Sequence, residues 1–92
     1  MHIIRELDAE ESFSGRCRHL GEGGLGAVLA GELPVGDTVT LDFTLPGAQE
    51  PLRMRAVVRY RHGFHHGFEF LTLKPSQLDL IRRAEKTLPP AE

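Results

Sequence analysis

Apolar and polar residues alternate along most of this chain, and the alternation predicts strands. The clearest run covers residues 37–45. Val39, Leu41, Phe43 and Leu45 fall on one face and Thr38, Thr40, Asp42 and Thr44 on the other, as in an antiparallel strand with one face on a core and one in water. Residues 52–61 repeat the pattern, with Leu52, Met54, Ala56, Val58 and Tyr60 set against Arg53, Arg55, Val57, Arg59 and Arg61. Further upstream, Phe13, Gly15 and Cys17 alternate with Ser14, Arg16 and Arg18. Shorter runs at residues 2–7, 27–30 and 66–71 complete the set, the last with Phe68 and Phe70 inward. The first of these forms a hairpin with residues 12–20 across the polar turn at 8–11, and Arg61-His62-Gly63-Phe64 closes another. Proline and glycine mark loops at residues 31–36 and 46–51.

The period changes near the end. Over residues 75–88, Leu78, Ile81, Ala84 or Glu85, and Leu88 share one stripe. Pro75 suits the first position of a helix, and Pro89-Pro90 stops it. Short antiparallel strands spaced about ten residues apart, then one helix, predict a mainly β fold. The expected architecture is a small antiparallel β-barrel or sandwich, with the C-terminal α-helix covering an open end and protecting apolar surface and edges.

Composition narrows the picture. Ninety-two residues make one domain, 1–92, with a modest core and little room for a deep catalytic cleft. A formal net charge of −2 argues against nucleic acid, whose binding needs a strongly basic face. No apolar run approaches the roughly 20 residues that span a bilayer, so no membrane partner is expected. The first residues, MHIIRELDAEE, turn acidic at once and do not read as a signal peptide. Cys17 is alone, which excludes an internal disulfide, and a reducing cytoplasm is the simplest compartment. Its alternation with Arg16 and Arg18 turns it toward the core as a small apolar side chain.

Candidate chemistry is sparse. The stretch RHLGEGGLG, residues 18–26, is four-ninths glycine and lies between two strands. It reads either as a cradle for an anionic ligand, with backbone amides beside Arg16, Arg18 and His19, or as a bulged turn. It is no dinucleotide fingerprint, because a strand and not a helix follows it. His62, His65 and His66 cluster near one hairpin, with His19 in possible reach, but no cysteine or carboxylate joins them at ligand spacing. They are read as a solvated loop, and no metal is expected. Arg53, Arg55, Arg59 and Arg61 form a basic row, either paired across strands with Asp42 or Glu69 or open as a docking stripe for an acidic protein partner. Arg82-Arg83 reads as solvated. Ser12, Ser14 and Ser76 have no nucleophile setting, no carboxylate pair stands out, and an enzyme is not expected.

Several segments together carry a resemblance. SGRCRHLGEGGLGAVL, then Leu33-Pro34-Val35-Gly36-Asp37 with its alternating strand, then Val57-Val58-Arg59-Tyr60 and Gly67-Phe68-Glu69-Phe70, then the helix, occur in order over almost the whole chain. In this the sequence resembles the PilZ domain, a bacterial β-barrel receptor for cyclic di-GMP. The resemblance implies a split-barrel type with a C-terminal helix, a signalling role by binding without catalysis, cyclic di-GMP as candidate ligand and no further cofactor. It also implies a ligand site built from R-x-x-x-R, whose guanidinium groups grip phosphate and guanine, and from D/N-x-S-x-x-G, whose small residues let backbone approach the ligand. Here His19 stands at the Asp/Asn position and Gly21 at the Ser position, and only Gly24 matches. Arg5 is the sole arginine before Arg16, Ala9 follows it four later, and the chain begins where the arginine motif would just have ended. Two functions follow. One is an adaptor with weak or no nucleotide binding, working through the arginine row or the helix, on which Leu80 lies off the main stripe as a weak dimerisation feature. The other is a cyclic di-GMP receptor using Arg16, Arg18, His19, Gly21, Gly23 and Gly24.

Overall fold

The alternating runs become strands of one sheet that closes on itself. The computed structural model describes residues 1–8, 10–45 and 48–85. The strands are β1 (His2–Arg5), β2 (Ser12–Leu20), β3 (Gly24–Leu29), β4 (Thr38–Phe43), β5 (Leu52–His62) and β6 (His65–Phe70), followed by helix α1 (Pro75–Glu85). They form a closed barrel in the order β1-β2-β3-β6-β5-β4, and every neighbouring pair is antiparallel. Short β1 closes it, pairing with β2 on one side and β4 on the other. Closure removes the free edges that an open sheet would present.

The inward residues meet in one core. Ile3, Ala27, Leu33, Val39, Leu41, Ala56, Val58 and Ile81 are fully buried. Each large aliphatic side chain so buried stabilises the fold by about 1.5–3 kcal/mol. Leu33, from the loop between β3 and β4, and Ile81 and Ala84, from α1, join strand residues in that core. The helix begins at Pro75, and Gln77 Oε1 accepts from the Lys74 N–H at 3.0 Å, half of a capping box. The expected continuation of the helix to Leu88 and its stop at Pro89-Pro90 lie outside the described residues, as do Ala9 and the Pro46-Gly47 part of the β4–β5 turn. Among the described residues no helix is long and apolar enough to cross a membrane.

Four details differ from the sequence reading. First, β1 ends at Arg5, and Leu7 is exposed. The Arg5 guanidinium is spent on the buried carboxylate of Asp37, Nε to Oδ2 at 2.7 Å and Nη2 to Oδ1 at 3.1 Å, and on Glu11 at 3.2 Å. Second, β3 begins at Gly24, so half of the glycine stretch is strand. Third, Tyr60 does not face the core. A bulge shifts register between Val58 and Tyr60, so that Val58 opposes Phe68 and Tyr60 opposes Gly67. The extra residue, Arg59, inverts the alternation beyond it.

Fourth, His66 is not solvated. It is fully buried, its Nε2 accepting from the Leu33 N–H at 2.9 Å and its Nδ1 lying 2.9 Å from the Phe64 carbonyl oxygen. A neutral ring protonated at Nδ1 satisfies both contacts. His66 thereby ties the loop carrying Leu33 to the β5–β6 turn.

Candidate functional site

The glycine-rich turn joins β2 to β3 and is pinned from three sides. The Gly21 N–H donates to the Gly24 carbonyl at 2.8 Å, and the Gly23 carbonyl accepts from the Phe70 N–H at 2.9 Å. At the tip, the Glu22 carboxylate accepts from the Arg82 guanidinium of α1. Gly24 is where glycine is required: a Cβ there would stand 2.0 Å from the Phe68 carbonyl oxygen of the neighbouring strand. A side chain would push β3 off β6.

Just before the turn, β2 is bulged, its register shifting between Cys17 and His19. Arg16 and Arg18 are both exposed, and among the described residues no carboxylate pairs with either. Cys17 faces the other way and packs against the core. Its Sγ lies 3.5 Å from the His19 carbonyl, and burial pushes its thiol above the ordinary cysteine range.

The bulges in β2 and β5 bring two outward rows into line across β2, β3, β6 and β5. One row is Arg16, Val28, His65 and His62. The other is His19, Gly26, Gly67 and Tyr60. In the second row the two glycines are direct cross-strand partners, and rings lie over both. A Cβ on Gly26 would stand 2.3 Å from His19 Nε2, and one on Gly67 would stand 2.0 Å from Tyr60 Cε1. Ring centroids of His19 and His65 are 6.1 Å apart, and those of His65 and Tyr60 are 6.4 Å apart with planes inclined by 21°. Tyr60 and His62 are also 6.1 Å apart. The result is a shallow ring-lined platform with a backbone floor. Among the described residues no three histidine, cysteine or carboxylate side chains converge as a metal site.

The basic row on β5 has a different character. Arg53 pairs with Asp42 at 3.3 Å, Arg55 with Glu6 at 2.5 Å, Arg59 with Glu69 at 2.8 Å and Arg61 with Glu32 at 2.5 Å. The hydrogen bond from Arg55 holds the Glu6 carboxyl below its ordinary range. Nor is the row continuous: beyond the bulge Arg61 opposes the inward His66 and not an outward residue. Arg53 and Arg55 line a cleft of about 310 Å³ with Thr40, Met54, Thr72, Lys74 and Gln77. A second cleft, about 360 Å³, lies between Met1, Gly15, Arg16, Cys17, Leu20, Phe43, Thr44 and Leu45.

Of the residues singled out in the sequence, the fold gathers Arg16, Arg18 and His19 at one end of β2 and puts Gly21, Gly23 and Gly24 in the pinned turn beside them. His62, His65 and His19 were grouped from the sequence and Gly26 lay in the glycine stretch, whereas Tyr60 and Gly67 escaped the sequence reading as members of that surface. The available signal was Gly67 inside the strand pattern at residues 66–71, since a glycine within a strand marks close approach by a neighbour. The family model described as PilZ domain matches residues 2–84, from β1 into α1. No curated protein matches the chain.

Proposed function

The chain belongs to the PilZ domain family, a fold of cyclic di-GMP receptor-type signalling whose members bind and do not catalyse. From that premise we propose that it works as an adaptor, with its nucleotide-reading turn converted to a structural joint and its output carried by a protein partner. The observation that carries this reading is the ion pair between Glu22 and Arg82. It puts a carboxylate at the tip of the turn, where it disfavours an anionic ligand, and it ties that turn to the helix. The residues on either side agree. His19 has its ring laid over Gly26, so it offers no carboxylate to the paired donors on a guanine edge. Gly21 has no hydroxyl. Arg5 is committed to Asp37 and Glu11.

A second reading, a working cyclic di-GMP receptor at residues 19–24, draws on one specific observation: Arg16 and Arg18 stand exposed with no carboxylate partner among the described residues. Calorimetric titration with cyclic di-GMP at moderate salt, with GTP as control, separates the two. The adaptor reading expects no heat and no rise in melting temperature. Binding at micromolar strength or better would overturn it. A double variant, His19→Asp with Gly21→Ser, should gain affinity by about tenfold or more, since a matched carboxylate hydrogen-bond pair contributes about 1.5–3 kcal/mol.

A further inference from the structure

Most of the charge on this barrel is neutralised within it. Arg5, Arg53, Arg55, Arg59, Arg61, Arg82 and Arg83 each face a carboxylate. Among the described residues Arg16 and Arg18 do not, and they stand together at the edge of the ring-lined platform. The two rows of that platform contain three imidazoles and no acid. The same face leaves apolar surface in water: Val28 is 38% exposed and Tyr60 41%, and Phe64 at the adjoining turn is 55% exposed. Exposed apolar and aromatic groups gathered beside unpaired cations are the composition of a contact surface, not of a solvated wall. Gly26 and Gly67 are buried beneath the His19 and Tyr60 rings, so those rings lie flat on the sheet and present their outer faces to solvent.

Resting on the adaptor reading above, we propose that the outer face of β2, β3, β6 and β5 is the docking surface for an acidic polypeptide segment carrying an aromatic or large apolar side chain. The anchor packs against Val28, His65 and the outer face of Tyr60, and carboxylates on either side of it meet Arg16 and Arg18. Charge complementarity selects the occupant: an anionic segment gains from two guanidinium groups that no carboxylate among the described residues pairs, and a basic one is repelled. Strand addition, one way a sheet takes up a peptide, is not open to β3, β6 and β5, which are each paired on both sides. The partner must therefore be held by side chains, which is what the platform presents. A nucleic acid would need a far larger positive field than a chain of net charge −2 supplies.

The test is an amide chemical-shift titration of the isotope-labelled domain with a short synthetic peptide of aspartates and glutamates flanking one phenylalanine. One control peptide replaces the acids by asparagine and glutamine, and another replaces the phenylalanine by serine. The acidic aromatic peptide should shift amides around residues 16–19, 26–28 and 60–67, and both controls should bind about tenfold more weakly or worse. Combined Arg16→Ser and Arg18→Ser, both at exposed positions, should weaken the parent peptide about tenfold and abolish its salt dependence. No shifts, shifts elsewhere, or equal binding of the neutral control would overturn the proposal. A parallel arm uses cyclic di-GMP. If it moves the same amides and displaces the peptide, the face belongs to the nucleotide and the peptide assignment falls with the adaptor reading. If nucleotide and peptide are both silent, the adaptor reading stands and only this surface is lost.

Discussion

Two groups of arginines look alike in the sequence and differ in the folded protein. Arg53, Arg55, Arg59 and Arg61 alternate along β5, and Arg16 and Arg18 alternate along β2. Every arginine of the first group meets a carboxylate delivered from elsewhere: Asp42 from β4, Glu6 from the β1–β2 turn, Glu69 from β6 and Glu32 from the β3–β4 loop. Among the described residues neither arginine of the second group does. Opposite Arg16 on β3 is Val28, and the nearest acids in sequence, Glu11 to Arg16 and Glu22 to Arg18, are taken by Arg5 and Arg82. A basic stripe therefore presents unpaired charge only where the topology withholds its counter-charge. The longer stripe of this protein is closed, and the shorter one is open.

The comparison can be broken most severely at Gly24. Gly24→Ala should cost more than about 3 kcal/mol, because backbone and not a movable side chain blocks the new methyl group. The β3–β6 register that aligns the platform would be lost, while the arginine row on β5 keeps its pairing with β4. Thermal unfolding measures the first effect, and amide exchange on β5 against β3 measures the second. Persistence of the wild-type melting temperature would show that the two strands can part without loss.

A smaller effect tests the facing of Arg16 and Arg18. If both point outward, Cys17 between them is turned inward, and burial keeps its thiol protonated. Alkylation by iodoacetamide at neutral pH should be slow in the native protein and fast in denaturant. Fast native labelling would place Cys17 on the surface and rearrange the open pair.

The smallest effect probes the closed row. Glu6 has its carboxyl lowered by the hydrogen bond from Arg55. Its contribution to stability is present above the ordinary glutamate range and is lost as pH falls through the lowered folded value. Arg55→Gln should remove that increment, so wild type and variant should converge below this range and differ slightly at neutral pH. Since both groups are exposed, the difference is small and shrinks with salt. A difference that grew in acid would contradict the pairing.

Much of the fold was legible because local pattern and tertiary packing agree. The period-two runs at residues 38–43 and 52–58 each have a side turned to the core, and the helix beginning at Pro75 buries Ile81 and Ala84 from its stripe. The places that misled are those where one residue breaks the period. The bulge at Arg59 carries Tyr60 outside, and no run of alternating letters announces an extra residue. His66 read as loop because histidine is commonly solvated, yet the fold supplies a donor at one ring nitrogen and an acceptor at the other.

What the sequence determined by itself was the set of strands, the terminal helix, the family likeness and the glycine-rich turn between β2 and β3, because each depends on neighbours within a few residues. Which arginines are free, which ring lies over which glycine, and which turn is latched to the helix were decided only by the tertiary structure. Those facts join residues as far apart as Glu22 and Arg82, or Gly26 and Gly67. Barrel closure and two single-residue bulges set these distances, and a charge or a glycine gains its meaning from what those distances bring to it.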